Sequence, residues 1–364
     1  MKLRMAVIGV GHLGQHHARI LAGLPDVELV GVADANSTQA DAVAERHQTQ
    51  AYTHYGPLLD KVDAASIVVN TVHHHSVAMA FLERGIPLLI EKPITTTLAQ
   101  ADELIATARR QGAFIQVGHI ERFNPAFEAL QARPIQPKFV ECERHGPYTG
   151  RSTDIGAVLD LMIHDLDLLN ALDGTPVVSV EAMGVAVFGG HEDMVNARIK
   201  FESGCIAHVT ASRIAPLAKR RLRIWAPEGY AGIDFVHRKL SLVQPSDDVR
   251  RHGLDVKNLD QVRRTQLHSE VFGRHLEMHH QTCSAPADQL TRELQDFIHA
   301  SRTGGKPRVT GEDGRAALAL ATSVLDCVRN HQWEGTADGA TGMMMPPASG
   351  KLFRSNTDRN SAAA

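Results

Sequence analysis

The first 120 residues alternate short apolar runs with stretches whose apolar positions recur every three or four residues. Met5–Val10, Val27–Ala33, Ala65–Val69, Pro87–Ile90 and Phe114–Val117 have no polar face, which predicts strands buried on both sides. Between them, His16–Leu24 (ended by Pro25), Ser37–Arg46 (capped by Asn36 or Ser37), Ser76–Arg84 and Leu98–Arg110 read as helices. Strands alternating with helices of this length predict an α/β fold with a doubly wound parallel sheet.

Beyond residue 120 the rhythm changes. Gly156–Leu172 is one long helical pattern. Strand-like runs then follow with almost no helix between them: Pro176–Val187, Val195–Glu202, Cys205–Ser212, Arg221–Ala226, Ile233–Val236 and Lys239–Gln244. Short strands joined by tight turns such as Glu202-Ser203-Gly204 predict an α+β domain with an open, mostly antiparallel sheet. Residues 246–282 are polar, His-rich and weakly periodic, and read as an insertion or a long excursion. Leu290–Arg302 and Glu312–Asn330 are helical patterns. Gly335–Ala364 carries too little apolar surface to offset the entropy of ordering and is expected to be disordered. The expected organisation is therefore 1–120, 121–334 and a tail over 335–364.

Composition narrows the function classes. The 38 Lys and Arg against 41 Asp and Glu give a net charge of −3, without the basic field that nucleic-acid binding requires. No apolar run reaches the ~20 residues of a membrane span. The four cysteines, Cys142, Cys205, Cys283 and Cys327, form no CxxC pair, so a reduced, cytoplasmic protein is expected. The 21 histidines invite a metalloenzyme reading, but His16-His17, His73-His74-His75 and His279-His280 are adjacent, so their side chains diverge. No HExxH or Cys/His finger spacing occurs, and no metal is expected.

The chemistry lies elsewhere. Gly9-Val10-Gly11-His12-Leu13-Gly14 is a GxGxxG sequence between the first strand and the first helix. Gly9 permits the tight turn, Gly11 lets a pyrophosphate approach the backbone, and Gly14 lets helix and strand pack closely. The helix N-terminus offers free N–H groups to the phosphates. Asp34 ends the second strand, where a carboxylate accepts from the ribose hydroxyls of NAD and repels the 2′-phosphate of NADP. Glu91-Lys92-Pro93 follows the strand Pro87–Ile90, which puts Lys92 at the carboxyl end of the sheet; an ordinary loop lysine is the competing reading. Asp160 and His164 stand four apart on an apolar helix and face one side, either into a cleft or as a buried hydrogen-bonded pair. Asp165 and Asp167 point elsewhere.

These residues together resemble the glucose–fructose oxidoreductase/inositol dehydrogenase (Gfo/Idh/MocA) family over about residues 1–330. The resemblance implies an NAD-binding Rossmann domain followed by a domain on an open, mostly antiparallel sheet. It implies that Lys92 contacts both the substrate hydroxyl and the nicotinamide ribose, and that Asp160 and His164 are the family's Asp-xxx-His pair, with His164 the proton acceptor. Thr71 falls where the family has a Thr-Pro-Asn turn; Val72-His73 depart from that pattern and leave the role of His73 open. The cofactor-facing set expected on this basis is Gly9, Gly11, His12, Leu13, Gly14, Asp34, Thr71, His75, Glu91 and Lys92.

Val117-Gly118-His119-Ile120-Glu121-Arg122-Phe123-Asn124-Pro125, with Arg144-His145-Gly146-Pro147-Tyr148 and Asp154-Ile155-Gly156, is similar to the branch of that family that oxidises the 3-hydroxyl of UDP-N-acetylglucosamine. Arg122, Phe123, Asn124 and Arg151, with Asp160 and His164, are then the expected substrate residues. Arg122 and Arg151 would grip the diphosphate as bidentate donors, or else form salt bridges. A substrate that is inositol or a free sugar, and a non-catalytic NAD-bound sensor, are the alternatives. A homodimer or homotetramer is expected from the resemblance.

Overall fold

Strands without a polar face need cover on both sides, and the first sheet is assembled from such strands. The computed structural model describes residues 1–148, 155–187, 190–333 and 341–342. Its first half runs β1 (Leu3–Ile8), α1 (Gly14–Gly23), β2 (Val27–Ala33), α2 (Ser37–His47), β3 (Gln50–Tyr52), β4 (Ala64–Ile67), α3 (His74–Leu82), β5 (Leu88–Glu91), α4 (Leu98–Arg110) and β6 (Ile115–Gly118). The order β3-β2-β1-β4-β5-β6 is parallel throughout. The order reverses between β1 and β4, so the crevice at their carboxyl ends is the natural ligand site. Asn36 caps α2 by accepting from the Gln39 N–H, and Thr97 caps α4 in the same way.

The second half runs α5 (Pro125–Gln131), β7 (Phe139–His145), a π-type turn over Val158–Met162 leading into α6 (Ile163–Asp173), β8 (Val177–Val185), β9 (Met194–Phe201), β10 (Ile206–Ser212), β11 (Lys219–Ala226), β12 (Gly229–Asp234) and β13 (Lys239–Pro245). It continues through α7 (Asp247–His252), α8 (Gln261–Glu270), β14 (Leu276–Thr282), α9 (Gln289–Thr303) and α10 (Gly311–Asn330). These strands form one sheet ordered β14-β13-β12-β11-β7-β10-β9-β8, antiparallel except where β7 and β10 pair in parallel. A two-residue pair, β15 (Gln332–Trp333) with β16 (Thr341–Gly342), follows α10. The rest of the tail expected to be disordered lies outside the described residues.

The segment 246–282 is not a bare insertion. It supplies α7, α8 and β14, the edge strand, which pairs with β13 from Lys239↔Thr282 to Pro245↔Leu276. Backbone pairing, not apolar content, orders β14, most of whose side chains stay exposed. The sequence pattern also hid β7, in which buried Val140, Cys142 and Arg144 alternate with half-buried, mostly charged neighbours.

The chain recrosses between the two sheets. Leu290, Leu294, Phe297 and Ile298 of α9 pack into the core that holds Met5, Leu21 and Val32 of the first sheet and its helices. Leu318 of α10 joins the other face of that sheet, while Leu320, Ala321, Val324 and Val328 join the core of the second. Among the described residues, no helix is long and apolar enough to cross a membrane.

Candidate active site

The glycine turn is shaped by its own packing at two of three positions. Gly9 has φ +87°, and a Cβ there would lie 2.6 Å from the Val68 carbonyl oxygen. A Cβ on Gly14 would lie 1.9 Å from the Gly9 carbonyl oxygen. Gly11 differs, since nothing lies within 4 Å of its Cβ position, so the open space beside it belongs to whatever binds there. The Asp34 carboxylate accepts from the Val10 N–H and the Asn36 N–H, each at 2.9 Å. The Gln39 amide donates to the Val10 carbonyl at 2.7 Å. A carboxylate has about four lone-pair directions, so Asp34 fixes the turn and still has acceptors to offer a ribose.

A cleft of about 630 Å³ opens between the two sheets. From the first sheet it is lined by Gly11, His12, Leu13, Thr71, Glu91 and Lys92, all expected cofactor residues. Asp160 faces them from the second half. The Lys92 ammonium donates to the Asp160 backbone carbonyl at 2.7 Å and to its carboxylate at 3.3 Å. Turns of π type are frequent at functional sites, and this one presents a main-chain carbonyl to Lys92. Glu91 sits behind the lysine: one oxygen accepts from the Lys92 N–H at 3.2 Å, and the other lies 3.3 Å from His17 Nε2. His17 Nδ1 in turn meets the Ser66 hydroxyl at 2.9 Å.

His75, expected to face the cofactor, is not among the residues that line the cleft. It points to α4, where it pairs with Glu103 at 2.8 Å, because the start of α3 turns its side chain away from the cleft. The neighbour that matters is His74, which is buried and holds two loops of the site together. Its Nδ1 lies 2.9 Å from the Pro93 carbonyl and its Nε2 3.0 Å from the Val69 carbonyl.

His164 begins α6, half-buried, with Nδ1 covered and without a hydrogen-bond partner among the described residues. Its ring stands edge-on to His119 at 6.2 Å. Desolvation, then the charges of Lys92 and Arg144, hold its pKa well below the ordinary histidine value, so the ring is neutral. Among the described residues no hydrogen bond joins the His164 and Asp160 side chains, since the carboxylate is drawn to the opposite charge of Lys92. His119 is buried completely; desolvation, then Arg122, lowers its pKa to about 3.

The expected substrate residues of the hinge are not in the cleft. Arg122 is buried against Asp167 at 3.1 Å and Asp313 at 3.7 Å, the salt-bridge alternative of the sequence reading. Phe123 is core, and Asn124 donates to Glu121 and to the Phe235 carbonyl while capping α5. A polar hinge between two sheets must satisfy its own groups, and this one does so internally. Arg151 lies outside the described residues. Asp165 and Asp167 are both buried, and neither is solvated.

Their place is taken by residues that the sequence did not assign to the site, five of them from the Arg144–Tyr148 motif. Arg144, His145, Gly146, Pro147, Tyr148, Arg213 and Arg220 line the second-sheet wall of the cleft. Arg144 forks onto Asp165 at 2.9 and 2.8 Å and reaches Glu121 at 2.9 Å; these two carboxylates keep it firmly protonated against the cost of burial. Arg213 pairs with Asp193 at 2.6 Å and stacks on Tyr148. The alternating cations of Lys219-Arg220-Arg221-Leu222-Arg223 were the available signal.

Residues 3–119 match the oxidoreductase family with an NAD-binding Rossmann fold (Gfo/Idh/MocA), and residues 127–231 match the Gfo/Idh/MocA C-terminal domain. This chain belongs to the Gfo/Idh/MocA oxidoreductase family. It is 36% identical to UDP-N-acetylglucosamine 3-dehydrogenase of Acidithiobacillus ferrooxidans over 88% of its own length and 96% of that protein. A solved structure of that dehydrogenase superposes with a TM-score of 0.79 at 34% identity, covering 90% of this chain and 97% of the other. It is 26% identical to scyllo-inositol 2-dehydrogenase (NAD(+)) of Bacillus subtilis over 90% and 95% of the two chains.

The dinucleotide of this Gfo/Idh/MocA member is NAD, and the residues present fit it: open space at Gly11, spare acceptors on Asp34, and the N-terminus of α1 aimed at the turn. Lys92 and Asp160 both line the cleft, whereas His164, four residues on from Asp160, is not among its lining residues and stands against His119. Among the described residues, no group of three or more His, Cys, Asp or Glu is arranged to hold a metal ion.

Proposed function

We propose that this enzyme oxidises the 3-hydroxyl of UDP-N-acetylglucosamine, or of a closely related nucleotide sugar, to the ketone. The observation that carries the reading is likeness along nearly the whole chain, 36% over 88%, to a dehydrogenase of that substrate. NAD, when bound, accepts the hydride from the carbinol carbon. Lys92 donates to the substrate oxygen and stabilises its developing negative charge. Asp160 limits the lysine's wandering through two hydrogen bonds, so little reorganisation is left for the moment of reaction. His164 takes the hydroxyl proton on Nε2, since its Nδ1 is covered and its ring is neutral. His74 keeps the loop after Lys92 in register with the loop after β4. The four cysteines are free, which suits a reducing, cytoplasmic setting. The assembly we propose is a homodimer or homotetramer.

The test is NADH absorbance with UDP-N-acetylglucosamine, myo-inositol and glucose in separate reactions, with a ketone trap to draw the equilibrium. NADH with the nucleotide sugar alone is expected; NADH with myo-inositol or glucose alone overturns the reading. Lys92→Met should lower turnover by at least about 10²–10³-fold, the usual effect of losing one preorganised donor. It should leave NAD affinity within about twofold, and a fully active variant removes the lysine from the mechanism.

A further inference from the structure

Among the described residues, four lysine and arginine side chains line the cleft, and three of them are matched by nearby carboxylates. Lys92 is held by Asp160, Arg144 by Asp165 and Glu121, and Arg213 by Asp193. Arg220 is not matched in this way. Among the described residues the carboxylate it pairs with is Glu121 at 3.9 Å, whose same oxygen already accepts from Arg144 at 2.9 Å, and its side chain is 51% exposed.

Strand register makes the imbalance larger. In the antiparallel pair of β11 and β7, Arg220 stands directly opposite Arg144. Like charges at facing positions repel. Arg144 is locked in place by three short hydrogen bonds, so its two acids are committed and Arg220 keeps nearly all of its donors. Gly146, which lines the same cleft, has nothing within 4 Å of its Cβ position, so open space lies against that stretch of the wall. A guanidinium with a free fork, facing open space in a cleft, has the geometry that binds a phosphate bidentately.

We propose that Arg220 is the specificity-determining residue of the substrate side, gripping the diphosphate of a nucleotide sugar and so separating such substrates from neutral polyols. This rests on the nucleotide-sugar reading above. A diphosphate could also come from the dinucleotide, but that group has the glycine turn and the N-terminus of α1 to bind it, whereas Arg220 projects from the second sheet.

The experiment is calorimetric titration of UDP and, separately, of NAD into the full-length wild type, Arg220→Gln and Arg220→Lys, with steady-state kinetics on UDP-N-acetylglucosamine. In R220Q, UDP affinity should fall about 10- to 100-fold, as expected for losing a charge-assisted bidentate contact. The loss should appear in KM more than in kcat, with NAD affinity unchanged. R220K, which keeps the charge but not the fork, should recover part of it. The melting temperature of R220Q should equal or exceed that of the wild type, since a cross-strand repulsion is removed, and this separates lost binding from lost folding. Unchanged UDP affinity in R220Q overturns the proposal while leaving the nucleotide-sugar reading intact. A fall in NAD affinity instead assigns Arg220 to the dinucleotide and also overturns it. A wild type that binds no UDP and oxidises only myo-inositol overturns both.

Discussion

Glu293 gives the most exacting test of the packing beneath the active site. It lies on α9, fully buried, and neither carboxylate oxygen has a hydrogen-bond partner among the described residues. Its backbone carbonyl, not its side chain, accepts from Gln116 at 3.0 Å. Burial raises its pKa well above the ordinary 4.5, and the negative charges of Glu91, Asp296 and Asp167 raise it further. The native state thus holds a proton that the unfolded chain releases above the ordinary glutamate range. Because the folded value is the raised one, the stability from this proton is complete below that range. It is then lost as pH rises toward the folded value, at about 1.4 kcal/mol per pH unit. Glu293→Gln keeps the shape and removes the titration. Urea unfolding of the NAD-free proteins should show the two nearly alike at about pH 5, with the glutamine variant gaining about 1.4 kcal/mol for each pH unit above it within that window. Groups that do not interact with Glu293 cancel in the difference. A stability gap that stays flat across those pH values would refute a protonated, partnerless Glu293.

Further expectations follow from the cofactor turn. Asp34→Ala removes the acceptor that holds the Val10 and Asn36 amides and frees space for a 2′-phosphate, so NAD binding should weaken and preference over NADP should shrink in paired titrations; unchanged preference would contradict the role. Gly14→Ala forces a Cβ onto the Gly9 carbonyl, so both melting temperature and NAD affinity should drop. Gly11→Ala meets no protein atom, so NAD affinity should drop with the melting temperature unchanged; equal destabilisation by the two variants would show that the space beside Gly11 is not a ligand's.

What the sequence made legible was local. The glycine turn, Asp34 and Glu91-Lys92-Pro93 each sit within a few residues of the strand that aims them, so a strand ending in a motif was enough to place them. The first sheet was legible for the same reason, its strands being apolar on both faces. β7 and β14 were not, because Glu141, Glu143, His145, His279 and His280 look like loop residues until a neighbouring strand supplies the pairing. Arg122 was offered as a substrate ligand and Arg220 passed over for one cause: an unmatched arginine and a paired one look identical in sequence. The difference lies in Asp167 and Asp313 for the first and in Arg144 for the second, each brought in by a different element. His75 was expected on the resemblance alone; adjacent side chains on a helix diverge, and the pattern does not say whether His74 or His75 turns inward.

The same ion pairs explain how two sheets from separate parts of the chain deliver Lys92 to Asp160. Arg122 ties the hinge to α6 through Asp167, and to α10 through Asp313. Arg292 of α9 donates to the Phe123 carbonyl and to Glu128, each at 2.7 Å, and Arg308 joins it on Glu128. Arg144 pins β7 to α6 and to the hinge. Buried pairs of this kind add little net stability, because desolvation offsets most of their attraction, but a displaced partner leaves a buried charge at a cost of about 3–5 kcal/mol. An apolar seam could slide by an ångström for far less, and a shift of that size would separate the Lys92 ammonium from a carbonyl now 2.7 Å away. The hinge arginine that the sequence offered as a substrate ligand therefore stands outside the cleft, in ion pairs that hold the angle at which its two halves meet.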